Sequence, residues 1–303
     1  MIILCLVFIL LIFTLIIIIN RTREKFTPEL KTNIGNQLCF YFSDLGKCIY
    51  NQKDFEYTSN LKKSFFFKDL PHTIKYTPEL FNIHQQIKGL PKRVTQGGHG
   101  NWEIIDNDML LFWKSMKPLI HKILDTALTK NSLRTTIDAP VIHFRCADTP
   151  FNKHPNYKFQ YYRFFKDALT LIEKKNNKKY NKVYICYNNT WISTKENQNS
   201  CNIYFENLVK YIKSLGYEVF HSNKDVMTDF ATMFYAPAVI STSSSLSFFA
   251  GYFGAKTFIS SGFYSSKNTC TLCDDWLFKG YDLEHTLVQD YHDTNTVIDI
   301  LKK

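Results

Sequence analysis

The alternation of apolar and polar positions divides the chain into stretches of different rhythm. Residues 2–19 are uncharged and almost wholly Ile, Leu, Val or Phe, about enough to span a bilayer core as one helix. Further on, Leu38, Tyr41, Phe42, Leu45, Cys48 and Ile49 recur at helical spacing and predict a helix with one apolar face, opened by a loop at Gly35. Met109, Leu110, Phe112, Trp113, Met116, Ile120, Ile123 and Leu124 predict a long helix from about 108 to 129, with Pro118 as a source of a kink. Residues 54–104 hold short apolar clusters between prolines and glycines, which predict loops with brief strands or helices.

From Ala139 the rhythm becomes regular. Strands at 139–144, 182–187, 217–220, 238–241 and 256–259 alternate with helices at about 160–175, 202–214, 225–235 and 245–253. Strands alternating with helices predict an α/β fold with a parallel sheet covered on both faces. The expected organisation is a transmembrane anchor at 1–20, a polar stem at 21–32 broken by Pro28, an N-terminal domain at 33–135 and a C-terminal domain at 136–303.

Composition changes this picture in three places. With 303 residues, 45% apolar and 16% aromatic content, the chain is long enough for two ordinary domains and does not have the composition of a disordered one. The net charge of +10 suits nucleic acid, an anionic membrane or an acidic ligand. The densest basic run, 173–182, falls between a helix and a strand with no nucleic-acid signature, which leaves the membrane and an acidic ligand as the expected partners. Residues 19–23 offer no small-residue cleavage site, so the apolar span reads as an uncleaved anchor.

Membrane orientation and thiol chemistry stay open at this stage. Arg21, Arg23 and Lys25 follow the span, and the positive-inside rule then puts the remainder of the chain in the cytosol. Of eight cysteines, Cys5 lies in the span and Cys270 and Cys273 form one CxxC pair, read as a loop disulfide or two inert thiols rather than a metal site. Asn188-Asn189-Thr190 is a glycosylation acceptor only on a lumenal face.

The candidate chemistry centres on Asp229 to Ala255. Here a helix is followed by a buried strand (238–241), a hydroxyl-rich turn (Thr242 to Ser245) and a helix that is apolar nearly all round. A loop at a strand's carboxyl end is where open parallel sheets hold ligands, and its hydroxyls and free N–H groups suit a phosphate. The simpler reading makes Ser244 or Ser245 an N-cap. Arg145 lies just beyond the strand 139–144, and its guanidinium can bind two phosphate oxygens at once; alternatively it pairs with Asp148 and only shapes the loop.

This run, with Ser241-Thr242-Ser243-Ser244-Ser245 followed by Phe248 and Phe249, resembles the last conserved motif of the alpha-(1,2)-fucosyltransferases. Val141 to Asp148 resembles the strand and loop of the HxRxxD motif of the wider superfamily, and Asn33 to Leu38 resembles its glycine-rich GNQ loop. Three departures stand out: Cys146 and Ala147 replace an Arg and a Gly, phenylalanines replace tryptophans, and no strand leads into the GNQ loop.

The resemblance implies a GT-B-like fold, with two Rossmann-like halves and a donor cleft between them. It implies a membrane-anchored, metal-independent glycosyltransferase moving a sugar with inversion from a nucleotide sugar, GDP-fucose favoured, to a glycan hydroxyl. On this reading the N-terminal domain is the acceptor side. Arg145 neutralises the departing diphosphate, and Asp148 is the candidate base. His143 and Asp229 hold the base or ribose, and Gly35, Asn36, Gln37, Ser243, Ser244 and Ser245 complete the donor site. Golgi-type relatives keep the catalytic part in the lumen, against the charge flanks.

Two rivals remain. Asp106-Asn107-Asp108 is a DxD triplet of the kind that binds metal and diphosphate in GT-A enzymes, though Asp108 equally suits a helix N-terminus. A membrane-tethered protein that binds glycans or nucleotide sugars without catalysis is the other. The donor-site reading requires Arg145 and the serine turn to share one sheet edge, with the GNQ loop facing them across room for a nucleotide sugar. Asp229 comes near that edge only if the loop before it folds back.

Overall fold

The computed structural model describes residues 34–57, 67–89, 106–146, 150–151, 159–188, 194–222, 225–242, 244–260 and 293–302. The expected anchor and stem, Asp148, Ser243 and the Cys270/Cys273 pair lie outside these residues. Among the described residues no helix is long and apolar enough to cross a membrane.

The chain from Ile34 onward forms one compact unit. It opens with α1 (Ile34–Tyr50), then an antiparallel pair β1 (Phe55–Glu56) and β2 (Thr73–Ile74), α2 (Pro78–Ile87) and α3 (Asp106–Lys130). The parallel sheet follows as β3 (Val141–His143), β4 (Lys182–Cys186), β5 (Glu218–Ser222), β6 (Ala238–Ser241) and β7 (Thr257–Ser260). Between and after its strands run α4 (Tyr162–Asn176), α5 (Lys195–Ser214), α6 (Val226–Phe234), α7 (Ser245–Ser247) continuing into a π-helical turn (Phe248–Tyr252), and α8 (Thr294–Leu301).

The spatial order is β5-β4-β3-β6-β7, all parallel. The chain builds outward from β3 through β4 to β5, then crosses back to place β6 on the other side of β3. The order therefore reverses between β3 and β6, and at such a reversal the two following loops diverge and leave a crevice at the carboxyl edge.

Each face of the sheet has its own core. Val141, Cys186, Val239 and Phe258 face α1, α3, α6 and the π-helical turn. Ile142, Phe144, Val183, Ile185, Ile240 and Ile259 face α4, α5 and α8. Covering on both faces explains the near-continuous apolar strands. In α1 the predicted face is realised: Leu38, Tyr41, Phe42, Leu45 and Ile49 are fully buried, each contributing about 1.5–3 kcal/mol from burial.

Three features differ from the sequence expectation. Among the described residues, 34–135 supplies helices and one short antiparallel pair rather than a second Rossmann-like half, because the apolar faces of α1 and α3 are spent on the sheet itself. Helix α5 begins at Lys195 rather than near 202, since the Thr194 hydroxyl accepts the Asn197 N–H at 3.1 Å and starts the helix in a polar stretch with no apolar rhythm. Helix α8 was not expected; Val297, Ile298 and Leu301 bury it in the core with α5.

Candidate functional site

Every strand of the parallel sheet ends on the same register row. Ser222, Cys186, His143, Ser241 and Ser260 are successive partners from β5 to β7. Partners in a parallel ladder point to one face, so the aliphatic strands finish in a line of polar and thiol side chains beneath α1, α6 and α7. The sequence carried a signal for it: each apolar run ends in His, Cys or Ser.

At the reversal point, the Arg145 backbone N–H donates to Thr242 Oγ1 at 2.8 Å. That hydroxyl donates in turn to the His143 carbonyl at 3.0 Å. On the other side, the Phe144 N–H donates to the Cys186 carbonyl at 3.0 Å. The Thr242 side chain thus supplies one more rung between β3 and β6 after both strands have ended, and it ties the Arg145 loop to the serine turn. Arg145 and Thr242 therefore lie at the same sheet edge. Thr242 is a site residue that the sequence reading misses, although it lies in the hydroxyl-rich turn.

His143 sits at the centre of the row. Burial, with the Arg145 charge adding to it, pushes its pKa down to about 3. Nδ1 is buried and has no hydrogen-bond partner. The imidazole is therefore neutral across the physiological range and has one polar atom unsatisfied, a condition that costs about 1–3 kcal/mol.

Asp229 is in the first turn of α6 and buried. Its carboxylate accepts the Ser222 hydroxyl and lies beside the Cys186 thiol. Burial, and then Asp229, push the Cys186 thiol well above its ordinary range, so it is protonated and inert. The expectation that Asp229 needs a folded-back loop is corrected. A helix that follows a parallel strand starts at that strand's carboxyl end, so the first turn of α6 lies at the row by topology alone.

The glycine-rich segment differs more. Gly35, Asn36 and Gln37 lie within α1 rather than in a loop. A Cβ on Gly35 would overlap Ser245 Oγ and the Leu246 backbone nitrogen, and Ser245 Oγ donates to Asn36 Oδ1 at 2.9 Å. α1 therefore rests directly on the serine turn, and no nucleotide sugar fits between Gly35 and Ser245. The glycine serves close approach of two protein segments. Gln37, Ser244 and Ser245 are buried around this contact. Ser244 occupies the N-cap position of α7, yet its side chain makes no capping bond, so the simple N-cap reading is not realised there.

Two covalent and charge features complete the region. Cys146, one residue beyond Arg145, is disulfide-bonded to Cys201 of α5, a pairing that the sequence did not suggest across 55 residues. Asp106 and Asp108 lie in the opening turn of α3, where negative charge is favourable. Among the described residues, no group of three or more His, Cys, Asp or Glu side chains is placed to hold a metal ion. No protein-family model, curated protein or solved structure matches the chain.

Proposed function

We propose that the protein is a nucleotide-sugar-dependent glycosyltransferase, fucosyltransferase-like, with its donor diphosphate at the reversal point of the parallel sheet. The observation that carries the reading is the Arg145–Thr242 hydrogen bond. It joins the loop that bears Arg145 to the hydroxyl-rich turn, at the place where parallel sheets open to ligands. A departing diphosphate gains negative charge, and a fixed guanidinium beside it stabilises that charge. Neutral His143, with Nδ1 unsatisfied, suits an uncharged donor or acceptor on the base or ribose. Toward β5, Ser222, Asp229 and Cys186 form a buried polar cluster beside it.

GDP-fucose as donor, transfer with inversion to a glycan hydroxyl, Asp148 as base and independence of metal all follow from the resemblance and belong to this proposal. The N-terminal segment would anchor the enzyme in a membrane. The Cys146–Cys201 disulfide favours the lumenal side of that membrane, because disulfides persist in oxidising compartments.

A second reading, a membrane-tethered protein that binds a nucleotide sugar without turning it over, is favoured by the Ser245–Asn36 contact, which closes part of the expected cleft. A donor screen of the full chain in detergent separates the two. Nucleotide release from GDP-fucose, GDP-mannose or UDP-sugars in the presence of glycan acceptors supports the enzyme. Binding without release supports the second reading, and neither binding nor release rejects both. Activity abolished by a chelator and restored by manganese would instead favour Asp106 and Asp108 as a GT-A metal site.

A further inference from the structure

We propose that the Cys146–Cys201 disulfide is a positioning device for Arg145, so that diphosphate binding depends on the oxidised protein. The inference rests on the reading of Arg145 as the phosphate ligand. Strand β3 ends at His143, and the two residues that follow are held by its neighbours: Phe144 N–H by the Cys186 carbonyl, Arg145 N–H by Thr242. Cys146 is the next residue, beyond the ladder. There the covalent bond to α5 does what ladder hydrogen bonds do inside the sheet.

The anchor it reaches is rigid. Cys201 is fully buried in α5, and the Tyr204 carbonyl three residues on accepts the Tyr162 hydroxyl of α4 at 2.8 Å. The Cys146 and Cys201 Cα atoms are held 5.8 Å apart, and Arg145 Cα is one peptide, about 3.8 Å, from the tethered position. With Thr242 on the β6 side and the disulfide on the α5 side, the backbone bearing the guanidinium is fixed from both flanks. Cleaving the disulfide removes one flank and leaves two small buried thiols that still pack as apolar groups. The expected loss is thus in the precision of Arg145, and a displacement of about 1 Å at a positioned charged group can cost on the order of 100-fold.

The test compares GDP with guanosine, which lacks the diphosphate, by calorimetry on the full chain in detergent. The proteins are wild type and the Cys146→Ala/Cys201→Ala variant, with far-UV circular dichroism to verify folding. If the variant does not fold, the same pair of affinities is read on wild type treated with a phosphine. That reaction oxidises phosphorus to phosphine oxide with one water and returns two thiols. The expected result is GDP binding weakened by at least about 10-fold, with guanosine affinity held within about two-fold. A merely structural disulfide would weaken both ligands together, and that outcome, or no change in either, overturns the inference. Oxidised wild type that binds no GDP overturns the phosphate site itself, and this inference with it.

Discussion

Gly35 in α1 and Ser245 at the start of α7 are in direct contact, close enough that a β-carbon on the glycine would overlap both the serine hydroxyl and the Leu246 backbone nitrogen. The serine could rotate away. The backbone nitrogen cannot.

Gly35→Ala is therefore expected to destabilise the fold by about 1–3 kcal/mol, the usual cost of overpacking a closed site. Gly89→Ala is the reference, since nothing lies within 4 Å of a β-carbon there, and it should change stability by less than about 1 kcal/mol. Denaturant unfolding of both variants beside wild type measures the difference. Equal midpoints would show that α1 shifts freely on the serine turn.

Arg145→Lys keeps the positive charge and loses the two-pronged geometry. Glycosyl transfer should fall by roughly 10- to 1000-fold with little change in unfolding midpoint. Turnover close to wild type in steady-state assays would take Arg145 out of the mechanism.

A third expectation concerns acid stability. Burial pushes the Glu173 carboxyl up, but hydrogen bonds from Lys179, the Tyr180 N–H and the Tyr217 hydroxyl outweigh it and hold the pKa below the ordinary value. A carboxyl with a depressed folded pKa contributes stability above its unfolded pKa, and loses it as pH falls through the folded value. Glu173→Gln should therefore be less stable than wild type at pH 7, with the gap closing below about pH 4. Urea unfolding at a series of pH values reads this directly; a gap independent of pH would mean that Glu173 acts by packing alone.

Asn188 reports the side of the membrane without any assay of activity. If the domain is lumenal, glycosidase treatment of protein made in eukaryotic cells should shift its mass, and Asn188→Gln should abolish the shift. An unglycosylated wild-type chain, with the disulfide absent on thiol alkylation, would place the domain in the cytosol, as Arg21, Arg23 and Lys25 suggest.

Much of the α/β architecture was legible because it rests on local rhythm. The strand at 238–241 was placed to the residue, and the long helix at 108–129 is α3 at Asp106–Lys130. Burial on both faces writes itself as apolar runs, and a helix writes its buried face every third or fourth residue. α8 and the polar start of α5 escaped for the same reason. A short helix and a polar first turn have little rhythm to read.

What the sequence determined by itself is the set of chemical groups and their order: an arginine after one strand, a hydroxyl-rich turn after another, a glycine ahead of a helix. Which of them meet was decided only by tertiary structure. Strand order put β3 beside β6, and with that choice Arg145 met Thr242 and the five strand ends fell into one polar row. The packing of α1 on the same sheet turned a predicted open loop at Gly35 into a closed contact with Ser245. The pairing of Cys146 with Cys201 likewise needed α5 to lie across the end of β3. Such contacts depend on how faces that are equally apolar choose among one another. That choice is set by the sum of burial over the whole core, a quantity that no local window of sequence contains.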